Sequence, residues 1–493
     1  MVAAAVAENP GGSIPEQMGD AHQAKAAYRL FDTPDVVTFE ALAGGHWART
    51  RRGLAGLGPP TPGRVALLVG DQTDLDYTRH PGTKGTGPIG DNRGRGMRLH
   101  TVLALDGGTY GDGGGGMGEA PEALGRVQGV AWQDVSYRQP APEGETRAGR
   151  SKRDRESRVW AAAVAACGRP PDGARYVHVC DSGADDFGMF DACRSAGSDF
   201  LVRACQDRRA ALGHEAVSPS GRGVLALARS LPALGGKVLD LRARSRVRRR
   251  VKASERGAKG VKCMTSRVAD VPGRRAKLLV SAGAVTVFAP WLDRSGRPPL
   301  RLWVVRVWEV DAPPGAEPVE WVLLTSVPVA TLADALRVAE WYACRWLVEE
   351  YHKCLKTGCA AEARQLEHAD RLEPLLGILT VVAARLLALK QQAWADPHAP
   401  AAPHVGELEV RLVAAERGLD APPDRITVYQ FWREVAKMGG FLGRRGDGEP
   451  GWQTVWRGWR KLQAMARGAR LLQGLQNPQA PPKPPPPSHG ICG

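Results

Sequence analysis

The sequence predicts a mixed α/β fold, and three observations carry that prediction. Short apolar runs bounded by glycine or proline alternate with Ala-rich helical stretches between Val65 and Arg203. Apolar residues make up 43% and charged residues 24% of the chain, ordinary globular values that exclude a mostly disordered or fibrous protein. At 493 residues the chain exceeds a single core, so two or three domains are expected.

The elements follow in order. Residues 15–57 read as polar helices, with one run at Ala24–Tyr28 and a second around Phe39–Trp47. Gly58, Pro59 and Pro60 end them, and Val65–Val69 forms an apolar strand running into Gly70 and Asp71. Leu99–Leu105 and Val127–Trp132 are the next strands, and Gly-rich loops lie between. Arg158–Cys167 is an Ala-rich helix. Tyr176–Cys180 is a strand ending at Asp181, and Phe200–Arg203 is one more. Asp71 and Asp181 thus fall at the C-terminal ends of buried strands. From 205 to 330 the pattern turns to short β runs, at Lys277–Val280, Ala284–Phe288, Leu302–Val310 and Trp321–Leu324. A long helix is expected from Thr331 through Lys356, and another over Leu372–Gln392. Helical stretches at Val428–Met438 and Trp452–Leu472 follow the breakers at Pro397–Pro403. The Pro-rich end, 477–493, reads as an extended, disordered tail.

No apolar run approaches the length that crosses a bilayer, so no membrane partner is expected. The start, MVAAAVAENPGG, lacks the charged segment of a signal peptide. Nine cysteines without a C-x-x-C pair suit free thiols in a reducing cytoplasm.

Charge is concentrated. The formal net charge is +15, and Arg242–Lys277 carries fourteen Lys or Arg against only Glu255 and Asp270. Arg242, Arg244, Arg246, Arg248, Arg250 and Lys252 recur at every second position, which in a strand puts six cations on one face. Aligned cations repel unless a polyanion screens them, so a nucleic-acid phosphate backbone is the natural partner; the plainer reading is a solvated basic strand.

Tyr342, Arg345, Glu349 and Lys356 share one side of the expected long helix, within roughly 60° at about 100° per residue. Glu350 points about 100° away, so helix geometry selects Glu349. An intrahelical pair of Arg345 with Glu349 is the bland alternative. Two strand-end aspartates and one glutamate can hold two hard divalent cations through oxygen ligands. Such a pair activates a water or 3′-hydroxyl on one side of a phosphodiester and stabilises the leaving oxygen on the other. Neighbouring cations then position DNA phosphates.

The segments VALLVGDQTDLDY (65–77), HVCDSGADDF (178–187) and YACRWLVEEYHKCLKTG (342–358) resemble those of bacterial DDE transposases. The spacing Y-x2-R-x3-E-x6-K is the YREK signature of the cut-and-paste insertion-sequence-four family. Similarity extends through AKAAYRLFD, WVLLTS and GGFLGRR…GWQTVWRGW, over roughly residues 15–475.

The resemblance implies an RNase H-like catalytic core with a β-rich insertion and flanking helical segments. It implies an N-terminal DNA-binding segment (1–60) that starts well inside the family's own end-reading module. The core falls at 61–204 and 331–395, the basic insertion at 205–330, and a C-terminal dimerisation segment at 404–476. Asp71, Asp181 and Glu349 would be the catalytic, metal-binding triad for Mg²⁺ or Mn²⁺, two ions together. Tyr342, Arg345 and Lys356 would grip DNA near the cut, with Arg203 a further contact and Lys353 beside them. Trp321 would stack on a flipped base, its alternative being a core aromatic. The implied reaction is strand cleavage, hairpin formation and strand transfer by a homodimer holding transposon-end DNA and target DNA, in the bacterial cytoplasm at the nucleoid. Trp452, Trp456 and Trp459 at helical spacing suit either the dimer surface or intrachain core. A truncated, non-catalytic DNA-binding regulator and a nuclease without strand transfer are the alternative functions.

Other candidates read as structural. Asp74, Asp76 and Asp91 suit a solvated loop. Asp185 and Asp186 suit a helix start, although Asp185 matches a family aspartate. His100 and His352 suit hydrogen-bonded structural roles.

Overall fold

This computed structural model describes residues 1–56, 63–109, 124–139, 144, 157–241, 244–249, 267–271, 273–290, 296–313, 316–444 and 447–476. Helices α1 (Val2–Glu8), α2 (Ile14–Met18), α3 (Ala21–Phe31) and α4 (Phe39–Ala55) come first. Then come β1 (Arg64–Asp76), β2 (Gly87–Ile89), β3 (Gly94–Thr109), β4 (Val127–Ser136), α5 (Arg158–Cys167), β5 (Ala174–Cys180) and α6 (Phe187–Ala196). Next are β6 (Asp199–Arg203), β7 (Arg209–Leu212), β8 (Arg222–Gly223), α7 (Val224–Ser230), β9 (Gly235–Leu241), β10 (Arg244–Arg249) and β11 (Arg267–Val271). Strands β12 (Arg274–Val287), β13 (Leu300–Val310) and β14 (Glu320–Thr325) follow, then α8 (Leu332–Ala343) and α9 (Trp346–Lys353). The chain finishes with α10 (Ala369–Ala395), α11 (Ala402–Val405), α12 (Glu407–Arg417), α13 (Val428–Met438) and α14 (Trp452–Gln476).

Two compact units divide the chain: Met1–Asp199 with Ala343–Gly493, and Phe200–Tyr342. In the first, β1 lies between antiparallel β3 and parallel β5, and β4 pairs with the far side of β3. β1 outruns the expected Val65–Val69 because β3 pairs with it as far as Asp76, whereas β5 pairs only to Gly70. Asp71 therefore lies within a strand rather than at its end, which corrects the sequence expectation.

Strand alternation gives this sheet two faces. Ala66, Leu68 and Tyr176 pack with Ala163 and Cys167 of α5 in one apolar cluster. On the same face Gly70 leaves no room for a side chain, because a Cβ there would sit 3.0 Å from Cys180 Sγ and 3.1 Å from the Trp160 ring. The opposite face carries Thr101, whose Oγ1 accepts from Gln133 Nε2 at 3.1 Å and lies 3.2 Å from His352 Nε2. Tyr351 takes a second Gln133 N–H at 3.0 Å and donates to the Thr380 carbonyl of α10 at 3.0 Å.

Contrary to expectation, among the described residues one helix is long and apolar enough to cross a membrane: Ala369–Ala393, with mean hydropathy 1.9. Of that apolar window, 72% is buried inside the protein, so its length serves the core. Leu372, Leu379, Ala383 and Leu387 are all buried.

The second unit is antiparallel, with β6, β14, β13 and β12 side by side and both β7 and β9 on β12. The runs expected as separate strands at Lys277–Val280 and Ala284–Phe288 are one strand, β12. Gly283 does not break it, because the position packs against Leu231, whose Cδ2 would lie 3.0 Å from an added Cβ. Arg244, Arg246 and Arg248 fall in β10, which pairs with β11. The register shifts between Arg244 and Val247. Arg242, Arg250 and Lys252 lie outside the described residues, as does the 477–493 tail.

The single helix expected from Thr331 through Lys356 is three pieces. α8 ends at Ala343, and α9 restarts through tight bonds from Leu347 N to Cys344 O and Val348 N to Arg345 O. Cys354–Gly358 then widens into a π turn closed by Cys359 N to Cys354 O at 3.0 Å. Gly358 packs under Trp456, where a Cβ would approach the ring to 3.2 Å. The straight-helix argument for one shared face therefore fails at both breaks.

The C-terminal tryptophans are intrachain core: Trp452, Trp456 and Trp459 are all buried, and Trp459 meets Trp432 at 6.1 Å between ring centroids. α13 and α14 touch through Gly439 and Gly458, where any Cβ would collide with the facing backbone. The large apolar residues left exposed on α14 are Leu471, Leu472 and Leu475.

Candidate active site

The pairing Gly70 to Cys180 puts the next residues, Asp71 and Asp181, side by side at the point where β5 stops. By alternation Asp71 is on the Thr101 face rather than with Gly70. Asp71 Oδ1 accepts from Gln72 N at 2.8 Å, and Arg345 Nη1 stands 3.4 Å from Oδ2. Burial first, then the charge of Asp181, pushes the Asp71 carboxyl up to about 6. Arg345 and the Gln72 N–H oppose that rise, and Glu349 adds to it.

Asp181 caps the turn Ser182–Ala184 by accepting from Gly183 N at 2.8 Å. A Cβ at Gly183 would lie 3.0 Å from Asp181 Oδ1, so the small residue after the aspartate leaves that carboxylate its room. Glu349 sits in the first turn of α9 and accepts from Arg345 Nη2. Arg345 therefore joins Asp71 to Glu349.

Among the described residues no three His, Cys, Asp or Glu side chains stand close enough to hold a metal ion as they are arranged. Their donor chemistry does fit a hard divalent cation. All three carboxylates offer oxygen, and a cation relieves both the burial and the repulsion from Asp181 that raise Asp71.

The other residues singled out from sequence separate by unit. In the first, Lys356 Nζ donates to the Asp74 carbonyl and stands 3.3 Å from Glu362 Oε1, while Lys353 is exposed. In the second, Tyr342 is buried and packs edge-on against Trp321 with ring centroids 5.1 Å apart. Arg203, exposed at the end of β6, donates to the Glu320 carbonyl at 3.2 Å. Trp346, which follows Arg345 in the first unit, is 46% exposed.

Asp74 and Asp76 lie in β1 with ordered partners and not in a solvated loop. Asp74 accepts from Gly90 N and Arg98 Nε, each at 3.2 Å, and Asp76 accepts from Thr78 N at 2.8 Å. Asp186 caps α6, accepting from Gly188 N at 2.8 Å, and Asp185 is buried. His352 is hydrogen-bonded as expected, but among the described residues neither His100 ring nitrogen has a partner. His100 packs instead against Trp160 at 4.6 Å, and burial drives its pKa down to about 3.

Sequence reasoning missed Glu362, which receives both Lys356 and the Asp76 N–H, at 3.0 Å for the latter. It also missed the Thr101, Gln133 and Tyr351 network. Neither carries a motif; each is visible only once distant segments meet.

Comparison with protein families agrees with this architecture. Residues 1–36 match the model described as Transposase DNA-binding, 169–385 match Transposase DDE domain, and 420–477 match Transposase Tn5 dimerisation domain. The chain thus carries the DNA-binding, DDE and dimerisation domains of a transposase, in that order. The DDE domain with the mixed sheet makes the core the expected RNase H-like α/β fold. Asp181 and Glu349 fall within the DDE match, and Asp71 precedes it.

Proposed function

We propose that this chain is a cut-and-paste DNA transposase of the insertion-sequence-four branch, with Asp71, Asp181 and Glu349 as its catalytic carboxylates. The observation that carries the reading is the adjacency of Asp71 and Asp181, the residues next after the paired Gly70 and Cys180, with Asp71 joined to Glu349 through Arg345. The three carboxylates would hold Mg²⁺ or Mn²⁺, and the bound ions would supply the activated water or 3′-hydroxyl and stabilise the leaving oxygen.

The residues of the chain do the rest. Burial keeps Asp71 in a low-dielectric setting where its charge acts strongly on whatever cation it binds. The Gly183 N–H fixes one Asp181 oxygen and leaves the other to bind. Arg345 offers a planar, permanently charged fork suited to a phosphate as well as to its two carboxylates. In the first unit Lys356 and exposed Lys353 add cationic charge suited to phosphate; in the second, Arg203 is a further cation and the Trp321–Tyr342 pair offers an aromatic face for an extruded base. Cleavage, hairpin formation and strand transfer are all in-line displacements at phosphorus, so one carboxylate set serves each. A homodimer holding two transposon ends in the bacterial cytoplasm would use the α14 edge bearing Leu471, Leu472 and Leu475, because the tryptophans are already committed to core.

The test is a cleavage and joining assay on DNA ends flanking the gene, with Mg²⁺ or Mn²⁺ and with Asp181→Ala beside the wild type. Joined product made by the wild type alone supports the reading. End binding with no product from either protein replaces it with the DNA-binding regulator, and cutting without joining replaces it with a nuclease.

A further inference from the structure

Glu349 stands on a short element whose far side is anchored by buried Tyr351 and His352, while Glu349 itself is on the exposed side. α9 has only eight residues, preceded by the Cys344–Arg345 turn and followed by the π turn. So short a helix has little stiffness of its own, and its rotation is set by its side-chain contacts, of which those of Tyr351 and His352 hold only one side. Glu349 is half-exposed, and among the described residues its side chain is paired with Arg345, itself near the helix start.

Glu350, about 100° further round the helix, is held quite differently. Its Oε2 accepts from Lys390 Nζ of α10 at 2.8 Å and also from Trp452 Nε1 at the start of α14. The same ammonium lies 4.4 Å from the Trp452 ring centroid, so the three side chains close on one another. Lys390 and Trp452 are buried. The indole contact is selective: among the described residues the N–H groups of Trp432, Trp456 and Trp459 have no hydrogen-bond partner, whereas that of Trp452 reaches the glutamate beside Glu349. A buried ion pair contributes little net stability once desolvation is counted, but it fixes geometry.

We propose that Glu350, Lys390 and Trp452 form a clamp that sets the rotation of α9 and thereby the placement of Glu349. Glu350 is then a positioning residue, and the segment that matches a dimerisation domain also holds the active-site helix in place. The inference rests on Glu349 being a catalytic carboxylate, and outer residues that orient ligands affect metal affinity by about 10–100-fold.

The experiment uses the full chain and Trp452→Phe, which keeps an aromatic ring beside Lys390 and removes only the N–H. Hydrogen exchange is measured over residues 346–353, together with end-DNA binding and the cleavage rate across a Mn²⁺ titration. The clamp predicts unchanged end binding, exchange in that helix about tenfold faster, and a half-saturating Mn²⁺ concentration raised about tenfold. In the otherwise wild-type chain Glu350→Gln, which keeps the acceptor oxygen for the Trp452 N–H, retains most of the wild-type protection, whereas Glu350→Ala loses it. If Trp452→Phe lowers the melting temperature by more than a few degrees, the paired Lys390→Met, Glu350→Gln variant replaces it, since it leaves no buried charge unpaired. Wild-type exchange over 346–353 in the variant overturns the clamp. Inert wild type would overturn the catalytic reading instead, and the exchange measurement would still decide the clamp.

Discussion

The two faces of the first unit's sheet are built from alternate residues of the same strands, yet they obey different physics. On the α5 face, Leu68, Gly70, Tyr176 and Trp160 pack without polar linkage, and His100 is accepted there uncharged with no hydrogen-bond partner among the described residues. On the other, Thr101, Gln133, Tyr351 and His352 hydrogen-bond one another, and Asp71 ionises with difficulty beside Asp181. The dry face supplies stability, while the polar face gives some of it up to hold like charges together.

Substitutions sharpen that contrast. Asp71→Asn should lower cleavage by roughly 10³-fold while raising stability. The carboxyl titrates near 6 in the folded protein, above its ordinary 3.8, so its ionisation carries a cost that is fully present above pH 6. Removing the charge should gain about 2–3 kcal/mol at pH 7, read by urea unfolding. A variant that loses activity and stability together would contradict the division between faces.

Acid comes next. Burial depresses His100, His178 and His352 to about 3 and His46 to about 4. The unfolded chain then binds more protons than the folded one below the ordinary histidine value, so stability is intact above pH 6.5 and falls as pH drops from there toward 4. Each histidine contributes a slope of about 1.4 kcal/mol per pH unit. Unfolding midpoints between pH 7 and 5 should show it, and His100→Phe should flatten the slope by one histidine's share.

On the dry face, Gly70→Ala should cost about 1–3 kcal/mol through the clash with Cys180 and Trp160. On the polar face, Tyr351→Phe should cost about 1–2 kcal/mol by leaving Gln133 and the Thr380 carbonyl short of a partner. Thermal melts in both variants compare the two faces directly.

Much of this was legible in the sequence where local pattern and packing agree. The bounds of α5 and α13 are those the sequence predicts, because each has an uninterrupted helical apolar pattern. Apolar runs likewise located β1 and β5, and hence the neighbouring Asp71 and Asp181. The breaks at Cys344–Arg345 and Cys354–Gly358 were not legible, because apolar periodicity continues through both and the departures are tied to partners far along the chain, such as Trp456. Gly283 reads as a strand breaker until Leu231 is seen to occupy its side-chain space. Trp452 reads as one of three equivalent tryptophans until its N–H finds Glu350.

The most direct test of the central claim is to let the metal report its own ligands. Fe²⁺ with ascorbate and peroxide, bound in place of Mg²⁺, cuts the backbone beside the ion, and the fragment ends are mapped by mass spectrometry. The account predicts cuts clustered near residues 71, 181 and 349 that excess Mg²⁺ suppresses and Asp181→Ala abolishes. Cuts elsewhere, or a pattern unchanged in Asp181→Ala, would contradict it.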